Sequence, residues 1–260
     1  MASAPSENNL PMFYKELVPL NSKEHAKWST RSLDDAKFME GAHAIPLTTE
    51  EFVMAGRNYP IIFSAGDNPV PLALMGLNEG VNIFMDEKGK FTAPVYIPAY
   101  VRRYPFLLAR LQADSDELSL CFDPTSKSVG NFKKDALPLF DGEKTSENTQ
   151  NILKFCEDFE NAGAQTQAFM DELQKADLLM EGEVSIQQAD SDKPFVYRGF
   201  KMVDEQKIRD MTGDKLRKIN QNGMLPLIHA HLFSLQLMRD IFAQQVQQGK
   251  VPEMTEVPTT

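Results

Sequence analysis

Hydrophobic residues along this chain keep two different rhythms, and the change between them falls within residues 124–150, a stretch rich in loop formers. Before it, apolar runs are short and turn-forming residues follow closely: Gly66-Asp67-Asn68-Pro69, Asn78-Glu79-Gly80, Asp86-Glu87-Lys88-Gly89 and Ala113-Asp114-Ser115-Asp116. Parallel strands need long crossover connections, and these intervals leave no room for them, so an antiparallel sheet is predicted. After it, Ile152, Phe155, Cys156, Phe159, Ala162, Phe169, Leu173 and Ala176 recur at intervals of three and four. That is one face of a long amphipathic helix starting near Asn151, with Gly163 as a candidate break. The class that holds both rhythms is α+β: an antiparallel sheet in the N-terminal half packed against C-terminal helices.

Finer signals fill this outline. Strands are expected over Phe13–Leu20, Ile61–Ser64, Val70–Leu77 and Val81–Asp86. Phe106–Leu111 should pair with Leu118–Phe122, where Leu118, Leu120 and Phe122 alternate against Ser119 and Cys121. Thr48 or Thr49 caps a short helix over Glu50–Ala55, which Gly56 stops. A late hairpin joins Val184–Ile186 to Phe195–Phe200, and Asp204 and Thr212 cap two short helices. Pro226 opens a last helix whose stripe is Ile228, His231, Leu232, Leu235, Met238, Phe242 and Val246. The expected organisation is one domain over residues 12–248: sheet-rich to 123, loop over 124–150, helical from 151. Residues 1–11 and 249–260 are read as disordered tails.

Charge narrows the possible partners. The 260 residues carry a net charge of −10, which speaks against nucleic acid, since phosphate binding needs a basic surface. Eleven acids against three lysines lie between Glu147 and Lys193, whereas residues 88–113 hold five basic residues and no acid. Such segregation fits either self-complementary packing or a site for an anionic ligand. No run approaches the ~20 apolar residues of a membrane span, and the first residues lack the basic and apolar regions of a signal peptide. A cytoplasmic location is expected. The two cysteines, Cys121 and Cys156, fit neither a disulfide framework nor a zinc site.

One stretch stands apart: Val95-Tyr96-Ile97-Pro98-Ala99-Tyr100-Val101-Arg102-Arg103-Tyr104-Pro105-Phe106. Read as extended, it sends Val95, Ile97, Ala99, Val101 and Arg103 to one face and Tyr96, Tyr100, Arg102 and Tyr104 to the other. The arginines then have two readings. They bond carboxylates of the acidic arm, or they clamp a carboxylate or phosphate with the tyrosines as walls. By alternation Arg103 is the structural one and Arg102 the ligand-facing one. The candidate ligand-binding set is Arg102, Arg103, Tyr96, Tyr100 and Tyr104.

Several phrases resemble the bacterial SapC-like family: Ala44-Ile45-Pro46-Leu47 with Glu51-Phe52, Tyr59-Pro60-Ile61-Ile62-Phe63, Leu74-Met75-Gly76-Leu77, Asn82-Ile83-Phe84-Met85-Asp86, the arginine stretch itself, and His231-Leu232-Phe233-Ser234-Leu235. Together they cover roughly residues 12–245. The turn before the arginine stretch departs from the family's glycine-aromatic step, reading Gly89-Lys90-Phe91. The resemblance implies a bacterial setting and a link to a surface-array (S-layer) locus, and it implies no particular reaction. It is distinct from the transporter permease of the same letters, which needs membrane spans.

Chemistry-bearing motifs are few. His229 and His231 lie two apart, about 200° round a helix, so they do not chelate one ion. His231 falls in the apolar stripe and reads as a core histidine. With His43 it is a secondary candidate for ligand contact. Neither cysteine sits in an activating context. No cofactor and no metal are expected. The leading reading is a non-enzymatic binding or assembly protein that recognises a peptide, protein segment or small anionic ligand. The alternative is an enzyme: a metal-dependent oxygenase or an accessory of a peptide-modifying pathway.

Overall fold

The computed structural model describes residues 10–111, 117–187 and 194–250. Most of both expected tails and the turn at 113–116 therefore lie outside the described residues. Strands, in chain order, are β1 (Val18–Pro19), β2 (Ser29–Thr30), β3 (Ala44–Pro46), β4 (Ile61–Ser64), β5 (Pro71–Leu74), β6 (Phe106–Arg110), β7 (Leu118–Phe122), β8 (Val129–Gly130), β9 (Leu137–Pro138), β10 (Phe140–Asp141), β11 (Lys144–Thr145), β12 (Leu179–Ile186) and β13 (Phe195–Val203). Helices are α1 (Ser22–His25), α2 (Phe52–Ala55), α3 (Ala99–Arg103), α4 (Glu147–Lys175), α5 (Glu205–Arg209), α6 (Gly213–Gln221), α7 (Met224–Ser234) and α8 (Met238–Gln247). Every ladder is antiparallel, and the class is α+β. Among the described residues, no helix is long and apolar enough to cross a membrane.

The chain divides into two compact units, and each is built from two separate segments. The first unit joins the described chain up to Phe38 to Tyr100–Asn161. Its sheet runs β1-β7-β6. Phe106, Leu108 and Phe122 point to one face, where Val129, Leu139, Phe140 and Cys156 complete a core with Trp28 packed against it. The opposite face carries Leu107, Ala109 and Cys121 under Tyr14. β1 is much shorter than the run Phe13–Leu20. The reason is local: the Lys15 N–H donates to the Asp123 carboxylate at 2.8 Å instead of to a neighbouring strand. Within 124–150, β8 and β9 flank β2. α4 then starts ahead of Asn151 because the Ser146 hydroxyl accepts from the Thr149 N–H at 3.2 Å.

The second unit joins Met39–Ala99 to the described chain from Ala162 on. Its sheet order is β12-β13-β4-β5-β3, so a late hairpin extends an early meander. No strand forms over Val81–Asp86, where Met85 makes only an isolated bridge to Phe91. Glycine at 182 is demanded by its cross-strand partner, since a Cβ there would run into the Phe200 ring. Gly182→Ala is expected to cost about 1–3 kcal/mol through overpacking. A chemical-denaturation midpoint equal to wild type would show that the ring simply turns away.

α4 runs through Gly163 without a break. Space is open where a side chain would go there, so the glycine costs helix propensity and relieves no clash. Asp204 caps α5 as expected, its carboxylate accepting from the N–H groups of Gln206 and Lys207. The C-terminal stripe is carried by α7, a 3-10 turn at Leu235–Leu237 and α8. Ile228, His231, Met238 and Phe242 are buried, Leu232 and Leu235 half-buried, and Val246 exposed.

Candidate functional site

The stretch Val95–Phe106 is not continuously extended. Pro98 precedes the five-residue helix α3 and Pro105 follows it by two residues. A proline's fixed φ suits a helix start, and the residue before a proline is pushed out of the helical region. The two prolines therefore bracket a single turn, and the strict alternation of faces fails within it. On a helix Tyr100 shares a face with Arg103 and Tyr104, while Arg102 points about 200° away from Tyr100. Ala99, Tyr100, Val101 and Arg103 are buried, whereas Arg102 is exposed.

The segment ahead of Tyr100 belongs to the second unit and is tied down there. The Tyr96 hydroxyl donates to Glu51 Oε1 at 3.0 Å, and the Ala99 N–H donates to the same oxygen at 2.6 Å. Glu51 Oε2 accepts from the Thr48 N–H and hydroxyl, each at 2.9 Å. The Tyr96 N–H donates to Asn58 Oδ1, and its carbonyl accepts from the Tyr59 hydroxyl. Half-buried Tyr96 thus works in a network around the buried carboxylate of Glu51, which the sequence marks only as part of a short helix.

The segment from Tyr100 belongs to the first unit. Arg103 is 7% exposed, and its Nη1 lies 3.2 Å from Glu160 Oε1. Its guanidinium carbon stands 4.2 Å from the Phe159 ring centroid and 5.0 Å from that of Tyr100. Among the described residues its Nε meets no acceptor. This is the carboxylate expected within reach of Arg103, supplied by the acidic helix. The Tyr100 hydroxyl donates to the Met12 carbonyl at 3.3 Å, and burial raises its pKa. Tyr104 is half-buried, tilted against Phe38 at 4.5 Å and edge-on to Tyr14 at 5.2 Å. Burial raises its pKa as well.

Phe13 closes this cluster, contacting Phe38, Tyr100 and Tyr104. Its φ is 80°, a region that bulky side chains rarely adopt. Backbone strain of this kind costs about 1–3 kcal/mol and is held by its surroundings, here by rings. Local patterning places Phe13 at the start of a strand instead, because aromatic clustering across distant segments leaves no local pattern.

Arg102 has its guanidinium 5.3 Å from the centroid of the half-buried Phe155 ring, one helical turn from the ring that holds Arg103. Two neighbouring arginines thus lie over two rings of α4, one buried with a carboxylate and one exposed. An exposed guanidinium laid on a ring can still turn its fork toward a carboxylate or phosphate.

The other candidates lie apart. His231 is fully buried in the second unit. Its Nδ1–H donates to the Ile61 carbonyl at 2.8 Å, and its Nε2 accepts from the Val203 N–H at 3.1 Å. Burial lowers its pKa to about 4. His43 is half-buried, and its carbonyl accepts from the Met75 and Gly76 N–H groups. Burial pushes the thiol pKa up to about 11 for Cys121 and about 12 for Cys156, which suppresses the reactive thiolate. Among the described residues, no three His, Cys, Asp or Glu side chains come together closely enough to hold a metal ion.

A family model described as SapC matches residues 20–241. The chain belongs to the SapC family. No curated protein and no solved structure gives a match to it. In this SapC-family chain the match spans Glu51, Arg102, Arg103 and His231, while Phe13 lies ahead of it.

Proposed function

We propose that this SapC-family chain is a non-enzymatic binding or assembly protein of the bacterial cytoplasm, associated with cell-surface machinery. It recognises an anionic group on a peptide, protein segment or small ligand through the exposed arginine of α3. One observation supports this reading: two adjacent arginines are treated in opposite ways. Arg103 is buried against Glu160, Tyr100 and Phe159, whereas Arg102 is exposed and lies over Phe155. A guanidinium over a ring keeps its planar fork oriented, and that geometry binds a carboxylate or phosphate through two parallel hydrogen bonds. Tyr100 serves the framework of the first unit beside Arg103, Tyr96 that of the second around Glu51, and Tyr104 is half-buried among Phe13, Tyr14 and Phe38.

The test pairs two substitutions, with calorimetric titration against a panel of acidic peptides and small dicarboxylates. Arg102→Lys is expected to leave melting unchanged and to weaken binding of the best panel member about tenfold, because an ammonium cannot reproduce the fork. Arg103→Ala is expected to destabilise the chain by about 2–3 kcal/mol through lost stacking and a lost charged hydrogen bond. Unaltered affinity in Arg102→Lys, or no binding by any anion, would remove the arginine from the proposal.

A further inference from the structure

A second candidate site lies in the second unit. The end of α4, the loop to β12, α5 and the first turns of α6 enclose a cleft of about 700 Å³. Its floor is apolar: Leu178, Ile219 and Met224 are buried, and Met211 is half-buried beside them. Its rim holds four lysines, Lys175, Lys207, Lys215 and Lys218, and three acids, Glu172, Asp177 and Asp210. Three of the lysines are in ion pairs. Lys207 lies 2.8 Å from Asp177, while Lys175 and Lys218 share Glu172 at 3.6 and 3.9 Å. The partner carboxylates are themselves 87% and 40% exposed, so these pairs are weak and exchangeable. Lys215 makes no ion pair among the described residues and stands exposed at the rim.

We infer that this cleft binds a single-chain carboxylate amphiphile, a fatty-acid-like molecule with its tail on the floor and its head at Lys215 and Lys218. The volume lies within the range of small-molecule sites, roughly 300–1,000 Å³. Four lysines against three acids leave the rim one positive charge in excess, centred on Lys215, and that gives the head group its sign on a chain whose net charge of −10 otherwise repels anions. The floor selects the body. Methionines adapt to a flexible alkyl chain, whereas a peptide would leave backbone polar groups unpaired over Leu178, Ile219 and Met224. The site is independent of the arginine proposed above.

The experiment is titration of the full chain with dodecanoate below its micellar concentration, followed by calorimetry. Parallel titrations use dodecyl maltoside, dodecyltrimethylammonium and inorganic phosphate. Expected is saturable binding of one dodecanoate per chain, with the neutral and cationic amphiphiles much weaker. Lys215→Glu should weaken it about tenfold or more, since it turns attraction into repulsion at the head group. Lys23→Glu, the same charge change in the first unit, should leave it unchanged. Equal binding of the neutral amphiphile would mean a bare apolar surface, and binding of phosphate alone a simple anion site. Equal loss in both lysine variants would mean a general electrostatic effect. Each of these outcomes, or failure to saturate, overturns the inference.

Discussion

Replacing His231 with alanine is expected to destabilise the protein by about 3–5 kcal/mol, because two buried backbone groups lose their partner and a cavity opens. β13 and β4 pair through Phe200 with Ser64 and Lys201 with Phe63. Two steps further along, that register would set Val203 opposite Ile61. There the imidazole stands between them, donating to the Ile61 carbonyl and accepting from the Val203 N–H. It behaves as an inserted peptide group, stacked on Phe63 at 4.5 Å. Ser234, one turn later on α7, accepts from the Ile61 N–H at 2.8 Å. The same geometry makes stability depend on pH. A protonated ring would point two N–H donors at its neighbours, one of them toward the Val203 N–H. Its folded pKa of about 4 lies below the ordinary value of 6.5, so the unfolded chain binds the proton more tightly. The contribution is therefore complete above pH 6.5 and is lost as pH falls through 4, amounting to roughly 3 kcal/mol. His231→Gln, whose amide can still donate and accept, should flatten this dependence relative to wild type. Parallel pH profiles of the two proteins would show that another group governs acid sensitivity.

What the sequence displayed was local. Alternation in Leu118–Phe122 marked β7, and a three-and-four spacing marked α4, because each is imposed by a buried face on neighbouring residues. Asp204 was legible as a cap for the same reason. The five-stranded sheet was not, since β13 joins β4 across well over a hundred residues and neither strand records its partner. α3 was hidden differently. Tyr100 and Val101 favour strands, and only the prolines on either side of a single turn argue for a helix. Alternation nevertheless assigned Arg103 to the framework, because Arg103 lies on the buried side in either conformation. The roles of Glu51 and His231 in joining distant segments had no local mark, since each acts through groups far away in the chain.

Glu51→Ala should cost about 3–5 kcal/mol, a loss beyond that of ordinary capping residues, which contribute about 1 kcal/mol. The carboxylate is 4% exposed and accepts four hydrogen bonds. Two come from Thr48, which starts the turn leading into α2. The others come from the Tyr96 hydroxyl and from the N–H of Ala99, the first residue of α3. Alanine would strand two buried backbone donors and two hydroxyls at once, and a solvent-poor site offers them little replacement. Glu51→Gln separates charge from geometry. Its amide oxygen can serve one pair of donors, but the amide nitrogen would then face the other pair, so an intermediate loss of about 2 kcal/mol is expected. Urea unfolding of the three proteins measures both steps, and hydrogen exchange at the Ala99 amide reports the local one. A loss below about 1 kcal/mol in Glu51→Ala, with Ala99 protection retained, would mean that water replaces the carboxylate and that α3 is anchored by its own packing.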